Sequence, residues 1–341
     1  MPITVVGSIA YDAVKTPFGE RERMLGGAAV HFALAASFFD EVRVVGPVGD
    51  DFGEGDLETL RSRGVDVSDV DRVSGGKTFF WRGEYGWDLN SRETLDTQLG
   101  VFEGFQPKLS ASSRSSDVLF LANIQPDLQR EVRAQLPAAR FVALDSMNLW
   151  IDIARDSLVQ AIGEVDCVIL NDSELRQLTG KPNLISAARE VLSWGPSAQP
   201  SSSGDGRASD PTRASQARGP SVIVAKQGEY GAALVTREHF FALPAYPLET
   251  VIDPTGAGDT FAGGFVGYIA AHPERPSEEG GPLPEELLRS AMAHATALAS
   301  FNVEEFGTER IERLGSEEIA VRVDGLRAIT QFSGAPLSLR R

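Results

Sequence analysis

Cysteine is nearly missing from this chain of 341 residues: Cys167 stands alone. One thiol cannot build an internal disulfide framework, so the composition points to a cytoplasmic protein. Cys167 falls inside the apolar run 165–170, where a core filler is expected rather than a nucleophile. Basic residues are also scarce, 32 Lys and Arg against 48 Asp and Glu, giving a net charge of −16. That balance argues against nucleic acid or an anionic membrane as a partner. It is also what a salt-adapted host would produce. An anionic ligand is not excluded, because a local anion site can act within a negative overall field. The N-terminal apolar run, residues 3–10, is too short for a membrane span, and no basic leader accompanies it. It reads better as a first buried strand. Internal repeats are absent as well.

What is present suits one large α/β domain with a small appendage. Hydrophobic residues make up 42% and charged residues 23%, as in ordinary soluble proteins. Short β-branched runs at 3–6, 42–45, 118–122, 141–145, 168–171 and 222–226 predict strands. Amphipathic stretches at 28–39, 128–136, 185–194 and 287–300 predict helices between and after them. This alternation implies a doubly wound, mainly parallel sheet with helices on both faces. Ligands of such sheets gather at the carboxyl ends of the strands, where Asn171, Lys226 and Asp253 would lie. Two segments break the pattern. Residues 11–25 and 73–106 mix charge with Phe79, Phe80, Trp81, Tyr85 and Trp87, and 78–82 reads as an exposed strand. Together they are expected to form a small β lid over the cleft, the alternative being a surface hairpin. Residues 195–220 are rich in Ser, Gly and Pro and are expected to be a disordered insertion. A smaller Pro/Glu/Gly insertion spans 273–284.

The most informative string is Asp253-Pro-Thr-Gly-Ala-Gly-Asp259, followed by Thr-Phe-Ala-Gly-Gly-Phe. Gly256 and Gly258 let the backbone aim its N–H groups at one point. Phe261, Phe265, Tyr268 and Ile269 then recur at helical spacing, so the turn opens a helix. Free N–H groups at a helix N-terminus bind phosphate without a basic side chain. An acid at this spot is poorly placed beside a resting phosphate, but well placed to take a proton from a hydroxyl about to attack one. The bland reading is a Gly-rich strand-to-helix turn in which Asp259 only favours the helix dipole.

The string resembles the C-terminal signature of the ribokinase or PfkB family of carbohydrate and nucleoside kinases. Supporting features run from about residue 3 to 310. The resemblance implies a ribokinase-like fold, with 1–10, 26–72 and 107–330 as a nucleotide-binding core, 11–25 and 73–106 as the lid, and 195–220 inserted in the core. It makes Asp259 the catalytic base, and Gly256, Ala257 and Gly258 the anion hole. ATP and Mg²⁺ follow as cofactors. Asn171-Asp-Ser-Glu174 matches the Asn-x-x-Glu motif that organises water-bound Mg²⁺ beside the triphosphate, with Glu174 as the acid. The same four residues also make a good helix cap. Ala225–Gly231 resembles the segment along the nucleotide phosphates. There Gly228 fits the required glycine and Lys226 replaces the more usual threonine. An ammonium at 226 can pair with a phosphate oxygen, or be a solvated Lys in a turn. Asp12 matches the acid that grips substrate hydroxyls, since an ionised carboxylate accepts two hydrogen bonds from a diol. Gly26 and Gly27 match the double glycine at the lid hinge. Asp253 and Thr255 fall where some relatives bind an activating K⁺.

The chain departs from the pattern in two places. His31 stands where the family usually has a substrate-reading Asn, and either a substrate contact or a structural histidine fits it. Ala293-His294-Ala295 replaces Ala-Asn-Ala, so His294 becomes the candidate base contact, with Asn302 as a nearby substitute. Asn123, Asp145 and Asn148 are further polar residues at strand ends. Asp145-x-x-Asn148-x-Trp150 loosely resembles a fructokinase-like segment, but an expected arginine is missing. The leading expectation is a sugar kinase moving the γ-phosphoryl group of ATP to a hydroxymethyl group of a small polyol. Arg21, Arg23, Arg82 and Arg92 are the cations available should the acceptor carry a phosphate. A nucleoside kinase and a non-catalytic nucleotide- or sugar-binding relative are the alternatives. A dinucleotide oxidoreductase is disfavoured, because Gly7-Ser-Ile-Ala-Tyr lacks the Gly-x-Gly-x-x-Gly turn. Pairing of lid edges would favour a homodimer.

Overall fold

The computed structural model describes residues 1–194, 219–272 and 283–331. Most of 195–220 and of 273–284, the two predicted insertions, therefore lies outside the described residues. The strands, in chain order, are β1 (Ile3–Val6), β2 (Ala10–Thr16), β3 (Gly19–Gly26), β4 (Val42–Gly49), β5 (Asp66–Val73), β6 (Phe79–Tyr85), β7 (Arg92–Gln98), β8 (Val118–Leu121), β9 (Phe141–Asp145), β10 (Cys167–Asn171), β11 (Val222–Lys226), β12 (Ala232–Val235) and β13 (Phe240–Leu243). Nine of them form one sheet in the order β13-β12-β11-β10-β9-β8-β1-β4-β5. The run from β11 to β5 is parallel, and β12 and β13 close one edge antiparallel.

Period-two alternation sorts the side chains of this sheet into two cores. Ile3, Val5, Phe120, Cys167, Ile169, Val222 and Val224 face the helices Ala28–Ala36, Ala257–Ala271 and Glu285–Asn302. Val6, Leu119, Leu121, Val168, Leu170 and Ile223 face the helices Pro126–Gln135, Arg155–Ile162, Asp172–Thr179 and Leu184–Leu192. Burial on both faces explains why these strands read as continuous apolar runs. Cys167 is fully buried and acts as filler. Among the described residues no helix is long and apolar enough to cross a membrane.

The remaining four strands form the β lid, in the order β3-β2-β6-β7. The strand expected at 78–82 runs from Phe79 to Tyr85 and is not exposed. It lies inside this sheet, parallel to β2 and antiparallel to β7, and its side chains are half-buried or buried. Both edge strands are exposed, β7 throughout and β3 over its first five residues. Val14, Tyr85 and Phe306 make a small third core, joined by Met24, Trp81 and Ile252, which seats the lid on the segment that leads into the glycine turn.

Candidate active site

The helix Ala257–Ala271 starts at the carboxyl end of the sheet with Gly256 as its cap, at φ 74°. A side chain at 256 would need both a left-handed backbone and space already filled, since an added Cβ would lie 2.3 Å from the His31 ring. Thr260 N–H donates to the Gly256 carbonyl (2.8 Å), closing the first turn. Ala257 N–H leans on the Pro254 carbonyl at 3.3 Å, a long bond that an anion can replace.

Behind the turn, hydrogen bonds fix every orientation. Asp253 is fully buried, and its two oxygens accept Thr255 N–H (2.9 Å) and Gly307 N–H (3.0 Å). Asn302 is also fully buried and donates Nδ2–H to the Thr255 carbonyl (2.7 Å). A carbonyl only accepts, so the Asn302 oxygen must face the other way, where it accepts from Thr260 Oγ1 (2.9 Å) and His31 Nδ1 (3.2 Å). His31 therefore carries its proton on Nδ1. Its Nε2 is a bare lone pair, buried without a partner. Burial pulls the imidazole down to about 4, so it is neutral at physiological pH. The expected nucleotide contact by Asn302 is corrected by this placement, because its amide is committed inside the core.

In front of the turn, charges crowd together. Lys226, at the end of β11, reaches Asp145 Oδ2 at the end of β9 (2.9 Å). An added Cβ on Gly258 would lie 3.0 Å from the same ammonium, which places it beside the glycine turn. Burial pulls Lys226 down, but Asp145, Glu174 and Asp259 together push it above its ordinary value. It is neither solvated nor free, which corrects the turn-lysine alternative. Asp145 is pushed up to about 6 by burial and by Asp259, against the pull of Lys226. Burial and Asp145 push Glu174 up to about 7. Asp259 is also raised by burial, with Lys226 and Arg92 opposing.

Asn171 and Glu174 do make the helix cap. Asn171 Oδ1 accepts Glu174 N–H (2.7 Å), and Glu174 Oε2 accepts Asn171 N–H (2.8 Å). This holds Glu174 by one oxygen, with its carboxyl in the field of Asp145 and Lys226. Two mutually repelling carboxyls there suit a hard cation. Among the described residues no three His, Cys, Asp or Glu side chains form a closed metal cage. Magnesium held mainly by water and phosphate needs no such cage, so the donor set fits.

Asp12 lies on β2 beside Gly26, where an added Cβ would overlap its carboxylate, and it accepts Gly27 N–H. Gly27 caps the helix that carries His31. Burial, with Asp253 and Asp259 nearby, pushes Asp12 up to about 7. The expected fully ionised acid is therefore half protonated near neutrality and can donate a hydrogen bond as well as accept one. Asn123 accepts Trp150 Nε1–H (2.9 Å), which orients its amide. Gly228 sits at the head of the turn Gly228–Tyr230. His294 is not brought to the cluster. It stacks on Tyr268 (4.2 Å), abuts Phe39, and bonds the Ser290 carbonyl through Nδ1. Tyr268 is nine residues beyond Asp259 on one helix, so the ring lies about 13 Å down the axis.

Three residues take roles that their sequence context does not assign. Asp145, a polar strand end, is the partner of Lys226. Tyr85 of the lid accepts from Thr255 Oγ1 (3.2 Å), clamping β6 to the turn. Arg92 opens β7, and its charge acts on Asp12, Asp259 and Glu174 across the cleft. A second lid contact, Asn90 Nδ2 to Glu229 Oε1 (3.1 Å), joins the β6–β7 loop to the Gly228 turn.

Comparisons with known proteins fit this geometry. The pattern of the pfkB family of carbohydrate kinases matches residues 3–313. Cytidine kinase of Thermococcus kodakarensis is 28% identical over 280 residues, covering 80% of this chain and 90% of its own. Ribokinase of Arabidopsis thaliana, solved with ribose and ATP, superposes with a TM-score of 0.68 at 20% identity, covering 94% of this chain and 98% of its own. A putative ribokinase II from E. coli, solved with ATP and Mg²⁺, gives 0.69 at 17% identity, covering 95% and 99%. The chain belongs to the pfkB family, ATP-dependent kinases that pass phosphate to an alcohol.

Proposed function

We propose that this protein transfers the γ-phosphoryl group of ATP to a hydroxymethyl group of a small sugar, with Asp259 as the base. The observation that carries the reading is the placement of Asp259. Its carboxyl stands on the first turn of the helix whose N–H groups form the anion hole, within the field of Lys226 and Arg92. Burial raises its affinity for a proton, which strengthens it as a base towards an attacking hydroxyl. The N–H groups of Gly256, Ala257 and Gly258 stabilise charge developing on the transferred group. Lys226 holds a phosphate oxygen while bound to Asp145 through another of its three N–H donors. Mg²⁺, held through water by Glu174 with Asp145 beside it, would neutralise phosphate charge. Asp12 and Asn123 contact the acceptor, the buried His31 supports the turn from behind, and Gly26 and Gly27 act as the hinge. Gly228 approaches the nucleotide phosphates.

A nucleoside acceptor is the second reading. Trp81 on β6 is half-buried and lies under the Arg92 guanidinium (5.1 Å to the ring centroid), a surface on which a base can stack. The Thermococcus relative, a cytidine kinase, favours this reading too. A homodimer through the exposed β7 edge of the lid is proposed with it. An ADP-release assay over a panel of free sugars, sugar phosphates and nucleosides tests the function. Acceptor-dependent ADP formation is expected with a sugar or a nucleoside. ATP binding without acceptor-dependent turnover anywhere in the panel would overturn it in favour of a non-catalytic relative.

A further inference from the structure

The family resemblance implies a monovalent cation at Asp253 and Thr255, but the residues present do not fit one. A potassium ion needs several oxygens free to replace its water shell. Here the Thr255 carbonyl already accepts Asn302 Nδ2–H at 2.7 Å. Both Asp253 oxygens accept backbone N–H groups, from Thr255 and Gly307. Three N–H donors thus bring their positive ends to the oxygens a cation would bridge. Asp253, Asn302 and Thr260 are each fully buried, so no water shell reaches these groups.

We propose that Asn302 takes the place of a monovalent cation in this chain. It is a positioning residue that acts through the Thr255 carbonyl on one side and through Thr260 and His31 on the other. One amide ties together the strand end, the first turn of the helix that carries Asp259, and the ring packed against Gly256. A cation neutralises oxygens but donates no hydrogen bond; the amide does both tasks by direction, since its two ends match a carbonyl and two donors. His31 belongs to this device, because only its Nδ1–H form completes the oxygen of Asn302. The anion turn is therefore held in its active shape without an added ion.

The inference rests on the proposed phosphoryl transfer, but its test separates the two. Thermal unfolding of the wild type is compared in KCl and in choline chloride at equal ionic strength, which requires no turnover. No K⁺-specific shift is expected, whereas a saturable rise in Tm with K⁺ alone would overturn the proposal. With the best acceptor from the panel, the wild-type rate should agree within about twofold in the two salts, and a tenfold stimulation by K⁺ would overturn it. In choline, Asn302→Ala should lose about 100-fold in kcat, the cost of a misplaced anion-hole donor, with KM for ATP little changed. K⁺ should restore at least tenfold of that loss, because the freed carbonyl can then bind a cation. Full activity of the variant in choline, or a loss that K⁺ leaves untouched, would contradict the proposal. Should the variant not fold, the wild-type comparisons decide.

Discussion

The two sides of the glycine turn are built on opposite principles. Behind it, Asp253, Thr255, Thr260, Asn302 and His31 satisfy one another through directed hydrogen bonds, leaving a single orphan at His31 Nε2. In front of it, Asp145, Glu174 and Asp259 crowd round the Lys226 ammonium, Asp12 lies within the field of Asp259 and Arg92, and each carboxyl is pushed above its ordinary value. Satisfied networks rigidify, and unsatisfied charges await a partner. In the proposed reaction the back would fix where the phosphoryl group lies. The front supplies repulsion that a polyphosphate with its metal ion, and a substrate hydroxyl, would relieve.

Breaking the front at its centre should have the largest effect. Lys226→Met leaves Asp145 without its counter-ion in a buried site, which should cost about 3–5 kcal/mol in stability. It should also lower kcat/KM for ATP by at least about 100-fold, as steady-state kinetics would show. Retained affinity for ATP would sever Lys226 from the phosphate. Breaking the back comes next. Gly256→Ala forces a side chain into a left-handed backbone against the His31 ring, at about 1–3 kcal/mol for the strain alone. Denaturant unfolding should show that loss, together with a fall in kcat larger than any rise in KM for the acceptor.

A gentler perturbation uses pH. Asp12 and Glu174 rise from near 4 when unfolded to about 7 when folded. Their contribution to stability is present below pH 4 and is lost as pH rises through 7. Asp12→Asn and Glu174→Gln remove this loss. Either variant should therefore gain in Tm over the wild type as pH goes from 5 to 8, by roughly a few degrees. A difference that does not change with pH would show that these acids are not strained in the free protein. The smallest effect is expected at the lid. Asn90→Ala removes an exposed contact to Glu229 and should change stability by under about 1 kcal/mol, with a few-fold rise in KM.

What the sequence shows of this site follows from how far apart the cooperating residues are. The turn at 253–259 and the cap Asn171–Glu174 lie within a few residues, so local spacing reveals them. The central strands are legible because burial on two faces leaves unbroken apolar runs. By contrast, Lys226 and Asp145 are 81 residues apart and meet only because β9, β10 and β11 are neighbours in the sheet. His31 and Asn302 are 271 residues apart, and their hydrogen bond depends on the packing of two helices. No local pattern marks Asn302 as an anchor, since a buried Asn and an exposed one look alike in sequence. Strand β7, Arg-Glu-Thr-Leu-Asp-Thr-Gln, carries no apolar face, so only pairing with β6 defines it.

The claim that binding and chemistry are divided between the glycine turn and Asp259 is tested most directly in Asp259→Asn. Removing one of the crowded carboxylates should leave the affinity for Mg·ATP, measured by titration calorimetry, equal to or tighter than that of the wild type. Turnover of the best acceptor should fall by about a thousandfold in the same preparation. Turnover within tenfold of the wild type would contradict the assignment of Asp259 as the base.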